Sequence, residues 1–418
     1  MANAVSQPEF GRRLRGLRVA RGLSQRDLAA GVVSPSYVSL LESGARVPTL
    51  EVALQIARAL GVPLTNLVEQ ADVAAGEPSR ASADRLVREL LARSAADHGD
   101  LAAAADRFDH AYREARDAGM VLAALQYGLA LDEIFTLKAD YERRYRLGVE
   151  LAGLATAIGA PELMIKVDTE RASAARDTGR LAEALECACR ALGAIEGTQF
   201  FHSAQHVRLL SVTVSVLCET GGSADVPRLI EEMLEVADQI DSPPLSGRAH
   251  WTASVAYARI GDERRAVAHI RRASQMLTSP STPLRDWARF TRSAASALLD
   301  AEVDLAETEP FLKGARAAIP AADLPGEVPL LASLEARYAL AAGRAEAALE
   351  LVERVDEGAL SGFELVRLLV TKGRALHRTD RPDDAVEQLR RAARLCDELA
   401  AYQLAARVWR EIDQVRTG

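Results

Sequence analysis

The stretch that decides the fold runs from Ser24 to Gly44: Ser-Gln-Arg-Asp-Leu-Ala-Ala-Gly-Val-Val-Ser-Pro-Ser-Tyr-Val-Ser-Leu-Leu-Glu-Ser-Gly. Ser24 is a favoured helix N-cap, and Asp27 three residues on predicts the reciprocal pairing of a capping box. The helix it starts is expected to run through Leu28 and Ala29 and to stop near Gly31, a residue suited to a left-handed C-cap. Ser34 predicts a second cap, with Pro35 at the first helical position, where its missing N–H costs nothing. On this second helix Val38 and Leu41 fall on one face and are expected to point inward. Ser36, Tyr37, Ser39 and Leu40 are left outside, and Gly44 closes the helix. Two short helices around a tight turn, the second with small polar side chains outward, form an arrangement that can enter a DNA major groove.

The flanking sequence completes a small bundle. Phe10, Leu14 and Leu17 predict an amphipathic helix before the stretch, and Leu50, Leu54, Ile56, Ala57 and Leu60 another after it, capped by Thr49. Pro63 to Val68 reads as a short fifth helix. Five helices in about seventy residues are enough for a small domain.

Residues 9–68 resemble the XRE, or phage-repressor-like, helix-turn-helix family. The resemblance is carried by Ser24-Gln25, Leu28-Ala29, Ser34-x-x-Tyr37-Val38-Ser39, Glu42-x-Gly44, Pro48-Thr49 and Leu60-Gly61-Val62. The turn between Ala29 and Ser34 is a residue shorter than the family's usual form. The resemblance implies that Gln25 and the amides at its helix start contact phosphate. It places Pro35, Ser36, Ser39 and Leu40 at base edges and Tyr37, Ser43 and Arg46 on the flanking backbone, with Ser34 also among the DNA-binding residues. Arg18 and Glu42 occupy positions that pair in that fold. The base-reading face lacks Arg, Asn and Gln, the side chains that make bidentate contacts. Recognition is therefore expected to lean on phosphate contacts and DNA shape.

Charge is distributed to match. Residues 1–70 carry eight Arg against five Asp or Glu, a net of +3, while the whole chain is −8, leaving −11 for the remainder. A basic head on an acidic body suits a protein whose head alone approaches DNA. A head of only +3 predicts that two copies act together.

Four Cys in 418 residues do not make a disulfide framework. His202 and His206 lie four apart but lack a third ligand nearby, so no metal and no cofactor is expected. No apolar signal segment and no membrane-length run is present, which predicts a cytoplasmic protein without a membrane partner.

After a Gly/Pro/Ser-containing linker, placed at 70–82, residues 83–418 read as nearly all helix, and a pattern recurs. A turn residue is followed five positions on by Ala, then seven further by a small or apolar residue. It stands at Gly99-Ala104-Ala111, Gly179-Ala184-Ala191, Gly261-Ala266-Ala273, Gly343-Ala348-Val355 and Asp380-Ala385-Ala392. Weaker copies fit at Asp140-Tyr145-Ala152, near Gly222-Pro227-Leu234 and near Val303. Eight turns at a period near forty predict stacked antiparallel helix pairs. The spacing resembles tetratricopeptide repeats in lengthened form, which implies a right-handed α-solenoid with a concave inner surface. The chain is thus expected to be all-α, with a helix-turn-helix domain at 1–69 ahead of about eight helical hairpins.

In arrays of that kind the first helix of each pair lines the groove. Thirteen residues back from the turn stand Tyr127, Lys166, Arg208, Arg248 and Arg337; ten back stand Thr169, Ser211, Trp251 and Ser293. Lys166, Arg208 and Arg248 would form a basic ladder beside Trp251, able to hold an anion or a peptide carboxylate. The alternative is that these cations pair with Asp168, Glu170 or other local carboxylates, and that Trp251, Trp287 and Trp409 only pack.

A DNA reader fused to such an array resembles the RRNPP group of peptide-sensing regulators. That resemblance implies a homodimer, formed through the C-terminal repeats, on a near-palindromic double-stranded DNA operator. Its effector would be a short peptide, with a small molecule or a protein partner as the alternatives. The alternative, of a different class, is an interaction scaffold or antitoxin-like protein with an accessory DNA-binding head. No phosphate-binding loop, nucleophile pattern or metal set points to an enzyme.

Overall fold

The computed structural model describes residues 7–29, 33–43, 50–62, 80–222, 224–279, 282–360, 362–399 and 401–417. Among the described residues there are helices and turns and no strand. The chain divides into two compact units, residues 1–83 and 84–418.

The first unit contains α1 (Gln7–Ala20), α2 (Gln25–Ala29), α3 (Pro35–Glu42) and α4 (Leu50–Leu60). The capping box forms as the sequence requires: Asp27 N–H donates to Ser24 Oγ at 3.1 Å, and Ser24 N–H donates to Asp27 Oδ2 at 2.8 Å. Ser34 is extended (φ −79°, ψ 152°), its Oγ accepts from Tyr37 N–H at 3.2 Å, and Pro35 opens α3. Phe10, Leu14, Leu28, Val38, Leu41, Ile56 and Leu60 are buried together as one core. The expected C-caps Gly31 and Gly44, the expected fifth helix at 63–68 and the linker through 79 lie outside the described residues. One contact has no counterpart in the hydrophobic pattern. A Cβ on Gly11 would collide with the backbone carbonyls of Leu41 and Glu42, so α1 and α3 touch backbone to backbone there.

The second unit is a row of helix pairs: α5 (Arg80–Asp97) with α6 (Leu101–Asp117), α7 (Val121–Lys138) with α8 (Tyr141–Ile158), and α9 (Pro161–Asp177) with α10 (Leu181–Ala194). It continues with α11 (Ala204–Thr220) and α12 (Val226–Gln239), α13 (Pro243–Arg259) and α14 (Glu263–Leu277), then α15 (Leu284–Asp300) and α16 (Leu305–Ala321). The last pairs are α17 (Val328–Ala341) with α18 (Ala345–Glu353) and α19 (Gly362–Arg378) with α20 (Pro382–Glu398), followed by a closing helix α21 (Tyr402–Thr417). Short 3-10 turns at Pro325–Glu327 and Glu357–Ala359 precede α17 and α19.

All eight hairpin turns close in the same way. A left-handed residue (Gly99, Ala139, Gly179, Gly221, Gly261, Glu302, Gly343, Asp380) ends the first helix. The next N–H then donates back five residues, from Asp100 to Ala95 through Arg381 to Leu376, at 2.8 to 3.1 Å. Where the pattern was weak the expected turn falls one residue late: Asp140, Gly222 and Val303 follow the left-handed residue instead of supplying it. Asp140 instead caps α8, accepting from Arg143 N–H at 3.4 Å. Ala104, Ala184, Ala266, Ala348 and Ala385, five positions on, are all fully buried, which lets paired helices approach closely.

The first helices of successive pairs also pack on one another from α9 through α19. The array curls far enough to meet itself. Arg289 on α15 donates to the carbonyl of Thr136 on α7 at 3.3 Å. A Cβ on Gly326 would lie 2.6 Å from Ala139 Cβ, and one on Gly179 would lie 2.5 Å from Leu399 Cδ2.

Candidate DNA interface and the interior of the repeat array

Recognition by a helix requires that the helix be held while its outer face stays free. Arg18 on α1 supplies the hold. Its Nε and Nη2 donate to the two oxygens of Glu42, at 2.5 and 3.0 Å, and its Nη1 donates to the carbonyl of Leu23 at 2.8 Å. Gln25 Nε2 adds a third bond to Glu42 at 2.8 Å. Burial opposes charge on Glu42, but the hydrogen bonds from Arg18 and Gln25 and the charges of Arg18 and Arg15 outweigh it and hold the carboxyl below its ordinary pKa. The network ties α1, α2 and the C-terminal end of α3 into one frame. Arg18 and Glu42 are thus paired, as their positions implied, and one amide hydrogen of Gln25 is committed to the frame.

The outer face of α3 follows from its inner one. Val38 and Leu41 are fully buried, so Ser36, Ser39, Leu40 and Ser43, at helical spacing on the other side, are exposed. Pro35 and the cap Ser34 are exposed at its start, while Tyr37 is half-buried against the core. Ser43 Oγ donates to Leu40 O at 3.1 Å. The face offers hydroxyls and one aliphatic side chain, and no bidentate donor. Exposed Arg12, Arg15, Arg21 and Arg26 on and between α1 and α2 provide positive charge that the sequence reading had not assigned. Arg46 lies outside the described residues.

In the second unit the proposed ladder resolves into two separate parts. Lys166 Nζ donates to Glu170 Oε1 at 2.8 Å, and Arg208 Nη2 to Glu170 Oε2 at 2.9 Å. Arg248 stands apart, half-exposed, with Asp286 at 3.7 Å. The centre of the cluster is Arg144 on α8, which the repeat arithmetic does not single out. Its side chain is 1% exposed and reaches Asp132 at 3.1 Å, Glu170 at 3.0 Å and Asp177 at 3.2 Å. Burial raises the pKa of Asp132 above the carboxylate range despite Arg144, with Glu170 adding to the rise. Glu170 is held low because Arg208, Lys166 and Arg144 together overcome its own burial.

The remaining positions form polar rungs between repeats or bond within their own helices. Trp251 Nε1 donates to Ser293 Oγ at 2.9 Å, joining two residues of the same predicted row, and the indole meets Phe290 edge-on. Arg337 donates to Ser296 Oγ at 2.7 Å and Asp300 at 2.5 Å. Thr169 is buried and bonds Ile165 O, while Ser211 bonds Val207 O. Tyr127 is buried and lines a pocket of about 210 Å³ with Arg88, Ala111, Glu114 and Met120. The recess opens to solvent and encloses no space for a ligand. The backbone N–H of His202 donates to His206 Nδ1 at 3.3 Å. Among the described residues no group of three or more potential metal ligands is found, and no helix is long and apolar enough to cross a membrane.

Residues 14–67 match the helix-turn-helix family HTH_3, so this part of the first unit is a helix-turn-helix domain of that family. Among solved structures, a Rap protein complexed with competence and sporulation factor is similar at 11% identity over 80% of this chain and 98% of that one, with a TM-score of 0.53. PlcR of Bacillus thuringiensis, in complex with the peptide PapR7 and DNA, matches at 15% identity over 78% of this chain and 99% of that one, with a TM-score of 0.44. ComR from S. thermophilus, in complex with DNA and its signalling peptide ComS, matches at 12% identity over 97% and 99%, with a TM-score of 0.26. The likeness to the Rap protein shows the fold of the helical array. Among curated proteins none is similar to this chain.

Proposed function

We propose that the chain is a sequence-specific transcriptional regulator that binds a near-palindromic DNA operator as a homodimer and takes an effector in its repeat array. The observation that carries this reading is the outer face of α3. Ser36, Ser39, Leu40 and Ser43 are exposed together on a helix pinned from behind by Arg18, Glu42 and Gln25. Pro35, Ser36, Ser39 and Leu40 would meet base edges. Ser34, Tyr37, Ser43 and Arg46, with the uncommitted amide hydrogen of Gln25, would meet the backbone.

In the interior cluster Lys166, Arg208 and Arg144 are already paired with Glu170, so an anionic group of a peptide or small molecule would have to displace that carboxylate. Gel-shift titration of Ser36→Ala/Ser39→Ala against wild type tests the DNA assignment. The account expects lost discrimination between operator and random duplex with residual salt-dependent binding to both. Unchanged discrimination would remove α3 as the reading element.

A further inference from the structure

A stack of helix pairs ends in two surfaces that have no further pair to cover them, and such ends need a polar outer face. The C-terminal end has one. Helix α21 buries Ala405, Val408, Ile412 and Val415 and turns Arg407, Arg410, Asp413 and Arg416 to solvent, with Trp409 exposed among them.

The N-terminal end is different. Helix α5 buries Ala92 against the core and exposes Leu86, Val87, Leu90 and Leu91, at 44, 54, 57 and 48%. Their one- and four-residue spacing puts them on one face. Gln126 on α7 donates to Glu89 at 3.2 Å, so Leu122, one turn earlier on α7 and 65% exposed, extends the strip. Five large aliphatic side chains in one strip are more than scattered surface apolarity.

We propose that this strip is a dimer seam and that its occupant is the same strip of a second copy. This rests on the homodimer reading above and says where the dimer forms, at α5 instead of the C-terminal repeats. Two features favour an identical partner. First, the apolar set is symmetric about the point between Arg88 and Glu89. An antiparallel two-fold through that point sets Leu86 of one copy against Leu91 of the other, and Val87 against Leu90, so every apolar side chain of this face of α5 meets an apolar one. Second, the charges bordering the strip are already neutralised within the chain. Arg88 pairs with Glu114 at 2.7 Å, and Glu89 with Arg93 at 2.7 Å. Two copies of the same rim therefore approach without net repulsion, whereas a strongly charged partner would find no complementary field.

The test is the mass of the full chain in solution, by size exclusion with light scattering, for wild type and Leu86→Glu/Leu90→Glu. Both positions are exposed, and helical circular dichroism checks that the variant folds. The seam predicts about twice 44.9 kDa for wild type and 44.9 kDa for the variant. A variant that stays dimeric overturns the seam and leaves the homodimer reading standing. A wild type that is monomeric at micromolar concentration overturns both. Should the double variant not fold, Leu90→Cys replaces it. Oxidation is expected to give a covalent dimer, while Val149→Cys, exposed on α8, is not expected to. Equal cross-linking of the two overturns the seam.

Discussion

Arg289 donates through Nη2 to the backbone carbonyl of Thr136 at 3.3 Å, across 153 positions of sequence. The sixth repeat thereby holds the second, and the array closes on its own side chains. Arg289 also bonds Glu327 at 3.1 Å, beside Arg292 at 2.6 Å, so the clasp is part of a charged cluster.

Arg289→Ala is expected to loosen the clasp and leave each helix pair intact. Small-angle scattering should show a larger radius of gyration than wild type, with helical content unchanged. A charge-assisted hydrogen bond contributes about 1.5–3 kcal/mol, so the midpoint of urea unfolding should also fall. An unchanged radius would mean that the other contacts hold the curl without it.

Arg144→Ala is expected to be the most damaging of the interior changes. It leaves Asp132, Glu170 and Asp177 short of a buried partner, a loss of about 3–5 kcal/mol. Lys166→Ala should cost about 1 kcal/mol or less, because that cation is partly solvated and Glu170 keeps Arg208 and Arg144. Urea titration of both variants gives the order, and equal losses would contradict the central place of Arg144.

The pair His250–His269 makes stability depend on pH. Their Nδ1 atoms are 2.8 Å apart, so one ring must donate and the other accept, which requires the accepting ring to be neutral and is lost when both rings are protonated. Burial, then His269 and Arg272 against the opposing Asp238, pushes the His250 pKa down to about 4, and burial and Arg265 lower that of His269. A folded pKa below the unfolded value of about 6.5 means that the unfolded chain takes up protons first. The contribution is therefore intact above about pH 6.5 and is lost as pH falls toward 4. Melting temperatures across that window should decline more steeply for wild type than for His250→Phe/His269→Phe.

Gly11→Ala is expected to displace α3. The added methyl would meet the carbonyls of Leu41 and Glu42 and cost about 1–3 kcal/mol as overpacking. Because Glu42 belongs to the frame around Arg18, DNA affinity should fall with stability. Retained affinity in a destabilised variant would separate the frame from recognition.

Much of this was legible in the sequence because it depends on local chemistry. Ser24, Asp27, Ser34 and Pro35 each fix a helix start within a few residues. The buried Ala at 104, 184, 266, 348 and 385 mark the pairs, and only the turns lacking a strong signal slipped by one position. Lys166 and Arg208 meet at Glu170, and Trp251 meets Ser293, two neighbourings within the rows of the repeat arithmetic. What joins them was not legible: Arg144 reaches Glu170 from a second helix, and Thr136 meets Arg289 only through the accumulated curvature of four repeats. Gly11 was invisible for a similar reason, since a close backbone approach leaves no apolar pattern.

The central claim is that α3 reads DNA sequence, and the most direct test is selection of duplexes from a randomised pool by the full chain, followed by sequencing. The account predicts enrichment of a near-palindrome whose half-sites lie about one helical turn apart, lost when Ser36 and Ser39 are changed to Ala. A pool that stays random after repeated rounds at physiological salt would contradict it.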